Sequence, residues 1–320
     1  MPKKTILITG ATGFIGKYFA EKFADLGYKV IACGRKTVFA FENPKIKYLC
    51  WDITTGIYRD KLTVDCVIHC ASDVSPVGNE KTMTQVNVIG TKNVIDSFRA
   101  KKFIYISSAS VYSADKPKNF ITEETNWTPK FLNFYQKTKR EAEVVVQQQA
   151  KNWIILRPHI VYGPGDTTLM PRVLKSRRGL RYLVVGDGKN SVSVTNIKNL
   201  FEITELSLNA QIKDQVFNVA DKQTVKVADL LEYLWSKVDP DLKPIFIPIF
   251  LAKLMALLNE FAYKLLPLKN EPIITLYSLY QLTSQYTLSI EKAKKMLDCG
   301  FDQNYKQGLT EYFENQSKII

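Results

Sequence analysis

The first half of the chain repeats one pattern. A short run that is apolar at nearly every position is followed by a longer stretch in which apolar positions recur every three or four residues. The short runs are KTILIT, KVIACGR, IKYLCWD, DCVIHC, KFIYISS and WIILRP. Strands apolar on both faces and separated by helix-length segments predict a parallel sheet, because only a sheet covered on each side hides both faces from water. The expected fold class is therefore α/β, a doubly wound parallel sheet. VFNVA at 216–220 reads as one more strand returning to it. Beyond about residue 221 the texture changes to Pro/Lys-rich joints and helical spacing, which predicts a smaller, mostly helical C-terminal substrate domain. The expected division is 1–165 for the nucleotide-binding part, with 190–220 returning to it, and 166–189 plus 221–320 for the rest.

One segment, PIFIPIFLAKLMALLNEFAYKLLPLK at 244–269, is apolar enough to raise the question of a membrane. Its uncharged stretches fall short of the roughly 20 residues that a spanning helix needs, and Lys253, Glu260 and Lys264 interrupt it. Phe250, Leu254, Leu257, Phe261 and Leu265 recur at helical spacing with the charges on another face. The expected element is an amphipathic helix that covers the core. A lid over an apolar substrate and a contact with a membrane surface are the less favoured readings.

Composition narrows the function classes. The chain has 320 residues and 46% hydrophobic content, enough for a large core. Its N-terminus, MPKKTILITG, has no signal-peptide pattern, and a cytoplasmic protein is expected. Five cysteines (Cys33, Cys50, Cys66, Cys70, Cys299), without CxxC spacing and mostly inside apolar runs, read as reduced core thiols. Two histidines and no Cys/His/acid cluster argue against a metal site. The net charge of +13 comes from lysines spread along the whole chain, which argues against nucleic acid and leaves a small molecule as the expected partner.

TGATGFIG, Thr9 to Gly16, follows the first strand and opens a helix. Its glycines at 10, 13 and 16 suit a tight turn, close approach of a pyrophosphate, and close helix-to-strand packing. The helix start adds free N–H groups and a positive dipole end. In this context the motif predicts a dinucleotide site in a Rossmann sheet. The second strand ends Ala32-Cys33-Gly34-Arg35-Lys36, with no acid for a ribose 2′-OH and two cations suited to a 2′-phosphate. NADP is therefore expected in preference to NAD.

The GxxGxxG spacing resembles that of the extended short-chain dehydrogenase/reductase family. Further stretches resemble it in order: His69-Cys70-Ala71-Ser72, Asn87-Val88-Ile89-Gly90-Thr91-Lys92-Asn93, SSASVY at 107–112, YQKTKREAE from Tyr135, RPHIVYGPGD at 157–166 and FNVA at 217–220. The chain has four tyrosines followed four residues later by lysine: Tyr18/Lys22, Tyr112/Lys116, Tyr135/Lys139 and Tyr233/Lys237. Only Tyr135/Lys139 lies on a helix after the fifth strand. Residues four apart share a helix face, so the Lys139 ammonium is expected to lower the Tyr135 pKa below the ordinary value near 10 and make the phenol a usable acid or base. Lys137 faces elsewhere.

The resemblance implies that Ser108 orients the substrate oxygen, with Ser107 and Ser110 as near alternatives, and that Lys139 also holds the nicotinamide ribose. It implies an adenine contact at Asp52, with Ile53 beside it. Further cofactor contacts are implied at Thr9, Phe14, Ile15, Cys70, Ala71, Ser72, Asn87, Ser107, Pro158 and Ile160. Family members often pair through helices flanking the Tyr/Lys segment, so a homodimer is a further expectation. The stretch GDGKNSVSVTNIKNL and the ending PIITLYSLYQLTSQYTLSIEKAKKMLDCGF resemble the branch like 3β-hydroxysteroid dehydrogenases. Ala109-Ser110 stands where sugar-nucleotide dehydratases carry Asp-Glu, and Ile160 stands where sugar-nucleotide enzymes usually carry Asn. These departures favour an oxidoreductase acting on a sterol-like, isoprenoid or long-chain keto substrate. The alternatives are a sugar-nucleotide epimerase or reductase, and a non-catalytic dinucleotide-sensing regulator.

Overall fold

In the computed structural model, residues 3–75, 78–112, 118–125, 131–265, 272 and 274–317 are described, without the side chains of 264, 265, 316 and 317. Lys116 and the end of the apolar segment, 266–269, lie outside the described residues.

Seven strands form the central sheet: β1 (Thr5–Thr9), β2 (Lys29–Gly34), β3 (Lys47–Cys50), β4 (Thr63–His69), β5 (Arg99–Ile106), β6 (Trp153–Pro158) and β7 (Gln215–Val219). Their order is β7-β6-β5-β4-β1-β2-β3, and every neighbouring pair is parallel. All six runs of the first half, and the returning VFNVA run, are strands of this sheet. The chain winds outward from β1 in one direction through β2 and β3, then crosses back through β4 to β7. The reversal leaves a crevice beyond the carboxyl ends of β1 and β4, where ligands bind in such sheets.

Both faces are buried, as the continuous apolar runs require. Ile6, Ile8, Ile68, Ile104, Ile154 and Phe217 pack on one side under α1 (Phe14–Asp25). Leu7, Val67, Phe103, Tyr105 and Ile155 pack on the other against α2 (Gly90–Ser97) and α3 (Phe134–Gln149). Alternate residues of one strand thus serve opposite cores.

The C-terminal portion is helical, as expected, and it also carries short strands that the sequence pattern did not predict. Arg181–Val185 lies between Arg177–Arg178 and Lys243–Ile247 in one small sheet; Ser191–Val192, Tyr286–Leu288, Val225–Lys226 and Lys118–Ile121 form another. Strands of two to five residues leave too little periodicity to be read from sequence. This portion has its own core, in which Tyr182 stacks on Trp235 at 5.5 Å.

The expectation for the apolar segment is overturned in one respect. Helix α4 (Ile249–Leu265) forms, but its apolar stripe does not cover the core. Phe250, Leu254, Leu257 and Phe261 are exposed, and the buried positions are Ala252 and Ala256. The small residues let α4 approach α5 (Leu276–Thr283) closely. The Asn259 amide donates to the Ile274 carbonyl at 3.3 Å, and Glu260 accepts from the Leu276 N–H at 2.8 Å. Helical periodicity identifies a stripe, whereas the neighbours decide which stripe faces inward.

Candidate active site

The cradle from Thr9 to Gly16 is built from steric necessity. Gly10 has φ +68°, and a Cβ there would lie 2.6 Å from the Ala71 nitrogen. At Gly16 a Cβ would lie 2.3 Å from the Gly10 carbonyl oxygen, so only glycine lets α1 start this close to β1. Gly13 differs: it is exposed, and a Cβ would meet only the Gly10 oxygen, at 3.4 Å. It is the N-cap of α1, and no side chain caps the first turn, which leaves the N–H groups of that turn without a side-chain acceptor. A dinucleotide pyrophosphate fits this cradle.

Behind the cradle, His69 ties three elements together. The Thr91 hydroxyl donates to the Asn87 carbonyl at 2.6 Å, so Thr91 Oγ1 accepts from His69 Nε2 at 2.9 Å. His69 Nδ1 then accepts from the Thr9 hydroxyl at 2.5 Å. Burial lowers the His69 pKa to about 3, which keeps the ring neutral as this tautomer requires. The Thr9 oxygen also accepts from the Ala71 N–H at 3.4 Å, and the Cys70 N–H donates to the Thr9 carbonyl at 3.2 Å.

Not every residue expected at the cofactor offers it a side chain. The Asn87 oxygen accepts from the Ser72 hydroxyl at 3.0 Å and the Asp73 N–H at 2.7 Å, while its NH2 donates to the Asp73 carbonyl and the Thr138 hydroxyl. Asn87 lies in a π-helical turn, Gln85–Ile89, and fastens the Ser72 loop to α3. The Ser107 hydroxyl donates to Glu143 at 2.6 Å. Asp52 uses one oxygen to cap its own turn through the Thr54 N–H and hydroxyl, and Ile53 is buried beside it. Arg35 and Lys36 are exposed at the end of β2, with the Lys36 ammonium 5.2 Å from the centre of the Phe39 ring. Pro158 ends β6, and Ile160 follows at φ +47°, a strained conformation for a β-branched residue that turns the chain beside the crevice.

Ser108 and Tyr135 meet beyond the end of β5. Ser108 caps a short 3-10 turn, accepting from the Ser110 N–H at 3.1 Å, and its hydroxyl lies beside the Tyr135 phenol. Helix α3 is capped by Asn133, which accepts from the Gln136 N–H at 3.0 Å and so sets the phase of the turn carrying Tyr135. One turn on, Lys139 is buried. Its ammonium donates to the Ile106 carbonyl at 2.8 Å and the Tyr105 hydroxyl at 3.1 Å, and lies 4.6 Å from the Tyr105 ring centre. Lys137 points outward to an ion pair with Glu80. The same spacing behaves differently at the surface, where Lys22 and Lys237 lie 6.0 and 5.2 Å from the ring centres of their own tyrosines.

The expected pKa pattern is reversed. Burial raises the Tyr135 pKa above the ordinary phenol value, and the Ser108 and Ser110 hydroxyls only oppose this. Burial also lowers Lys139 to about 7, against the opposing charge of Glu143. Desolvation is the largest influence on both groups. Tyr135 is therefore a protonated acid at neutral pH.

Several site residues carried little signal in the sequence. Glu143, fully buried, receives Arg157 through two bonds, Nε at 2.9 Å and NH2 at 2.7 Å, together with Arg140 at 2.9 Å. This pair braces the floor below Lys139, and the residues before the carboxylate in YQKTKREAE were its one clue. Tyr277 of α5 faces Tyr135 from the C-terminal portion. The buried Ser110 hydroxyl lies close to both phenols, in hydrogen-bond geometry with neither. His159 connects to α5 through Gln281 at 2.6 Å. Among the described residues no group of acids, histidines and cysteines could hold a metal ion.

A doubly wound parallel sheet with a glycine cradle at its switch point defines a protein of the Rossmann-like α/β class. Residues 6–220 match the NAD dependent epimerase/dehydratase family, and the chain belongs to that family. It is 27% identical over 315 residues to the mouse protein "Sterol-4-alpha-carboxylate 3-dehydrogenase, decarboxylating", covering 92% of this chain and 85% of that protein. It is 28% identical over 311 residues to the 2-alkyl-3-oxoalkanoate reductase of Shewanella oneidensis, covering 90% of this chain and 80% of that one. These relatives match the hydroxysteroid-dehydrogenase-like branch that the C-terminal motifs resemble. The UDP-glucuronic acid 4-epimerase of Bacillus cereus, solved with UDP-glucuronic acid and NAD, shares the fold at TM-score 0.73 and 20% identity, over 99% of this chain and all of that one.

Proposed function

We propose that this protein is an NADP-dependent oxidoreductase acting on a carbonyl or secondary alcohol of an apolar sterol-like, isoprenoid or long-chain keto compound. The observation that carries the reading is the Ser108 hydroxyl beside the Tyr135 phenol, above the buried Lys139. The bound cofactor supplies or accepts the hydride. The cradle at Gly10, Gly13 and Gly16 would hold its pyrophosphate, Arg35 and Lys36 its 2′-phosphate, and Lys139 its nicotinamide ribose.

In the reductive direction Ser108 orients the substrate oxygen and Tyr135 gives up its phenolic proton to that oxygen as the alcohol forms. The raised pKa loads Tyr135 as the donor. Glu143 and Arg157 hold the floor without touching substrate. The apolar character of the substrate is supported by Ile160 at the position after Arg157 where a diphosphate-binding Asn would stand, and by the sterol-4-alpha-carboxylate dehydrogenase and 2-alkyl-3-oxoalkanoate reductase activities of the mouse and Shewanella relatives.

The test is turnover of NADPH and NADH with a panel of apolar ketones and UDP-sugars. Ketone-dependent oxidation of NADPH is expected. Turnover of UDP-sugars alone would move the assignment to a sugar-nucleotide epimerase or reductase, and cofactor binding with no turnover of any substrate would move it to a regulator.

A further inference from the structure

Helix α4 leaves uncovered a surface that the site chemistry does not use. Phe250, Leu254, Leu257, Leu258 and Phe261 follow one another at i, i+4, i+7, i+8 and i+11, which places them on a single face, and all are exposed, Phe250 by 70% and Phe261 by 62%. The opposite face, at Ala252 and Ala256, is already packed on α5. The helix is therefore fixed in place with its apolar stripe outward. Single exposed apolar side chains are ordinary on a soluble protein, but a continuous stripe along a whole helix marks an interaction surface.

We propose that α4 docks this protein on the surface of an anionic phospholipid bilayer, lying in the interface. Charge identifies the occupant. The strand Lys243–Ile247, which runs directly into α4, pairs with Arg181–Val185, and the segment 175–189 carries Lys175, Arg177, Arg178, Arg181 and Lys189 against one acid, Asp187. All five cations are exposed, and so is Lys243. Asp239 pairs with Arg177 at 3.2 Å and Asp187 with Lys189 at 3.9 Å, while Glu260 is turned to the α5 backbone. Lys253 is exposed at the edge of the apolar stripe, where a long cationic side chain reaches the headgroup level. An apolar stripe with Lys253 at its edge, on a helix that continues from a cationic small sheet, complements acyl chains below anionic headgroups. A second copy of the chain would bring together two chains that each carry a net charge of +13, and a nucleic acid would leave the stripe in water. Among the described residues no helix is long and apolar enough to cross a membrane, so the helix lies along the surface.

The docking face is coupled to the site. Helix α5, on which α4 packs, carries Tyr277, which faces Tyr135, and Gln281, which holds His159. Docking sets α4 against the bilayer, where an apolar substrate is dissolved, with α5 behind it on the side of the site.

Cosedimentation of the full chain, without substrate, with vesicles of phosphatidylcholine containing about one third phosphatidylglycerol tests this directly. Binding is expected to be at least tenfold stronger than to phosphatidylcholine alone and to weaken severalfold when salt is raised. A double variant, L257D with F261D, is expected to lose at least tenfold in binding while its circular dichroism melt is unchanged. In a separate variant, L258W, the emission is expected to shift to the blue when anionic vesicles are added. The proposal is overturned if wild type and double variant sediment alike, if the L258W emission does not move, or if the stripe instead mediates a dimer in ultracentrifugation with no vesicle binding. Because no ketone is present, failure here leaves the carbonyl-reductase reading intact, and failure of that reading leaves vesicle binding untouched.

Discussion

The floor of the site and the α4–α5 hairpin beside it are both made of helices packed on a neighbour, yet they answer to different rules. At the floor each position is pinned by contacts that admit one residue type. Gly16 has no room for a Cβ within 2.3 Å of the Gly10 oxygen, and Glu143 has no water to replace Arg157. In α4 the buried positions hold only small residues, Ala252 and Ala256, and the large ones point outward. The difference teaches that side-chain identity is dictated where packing leaves no slack, and is open to selection for another purpose where it faces solvent.

The contrast can be broken at several points. The largest effect is expected from Tyr135→Phe, which removes the proton donor with little change in packing: ketone turnover should fall by about 10²–10⁴-fold, with cofactor affinity retained. Unchanged turnover would remove Tyr135 from the chemistry. At the cradle, Gly16→Val should cost about 3 kcal/mol or more in urea unfolding and abolish the cofactor-induced thermal shift, because the new side chain meets backbone. Gly13→Ala is expected to cost less than about 1 kcal/mol of stability and to act mainly on cofactor binding.

Arg35→Ala should weaken NADPH binding by about 10- to 100-fold and leave NADH nearly unaffected, since a bond to a charged group contributes about 1.5–3 kcal/mol. Equal loss for both cofactors would contradict a role at the 2′-phosphate. A subtler effect concerns Lys139, whose pKa falls to about 7 on folding from an unfolded value of 10.5. Between those limits the unfolded chain binds the extra proton, so stability contributed by this group rises with pH from about 7 toward 10.5. The melting temperature of Lys139→Met should lack that component of the rise. The smallest effect is expected outside the site: Leu257→Asp should change stability by less than about 0.5 kcal/mol, because the side chain is already in water. A large loss would mean that the stripe supports the fold after all.

The sheet was legible because strands buried on both faces must be apolar throughout, and seven runs announced seven strands. The cradle was legible because glycine is imposed there by geometry that stays within a few residues. Tyr135 stood apart from the other three Tyr/Lys pairs by its expected place on a helix after β5, and α3 carries it there. The Glu143–Arg157 pair was much less so: its residues are 14 apart on different elements, and nothing local distinguishes a buried carboxylate from a solvated one.

The sequence by itself determined the seven strands of the central sheet and the glycine turn between β1 and α1, since these depend on periodicity and on local steric demands. Only the tertiary structure decided three further matters. It directed the Lys139 ammonium to Tyr105 and Ile106 instead of Tyr135, it made desolvation the dominant influence on both pKa values, and it turned the apolar stripe of α4 outward. Each depends on which neighbours exclude water from a side chain, and those neighbours come from distant parts of the chain.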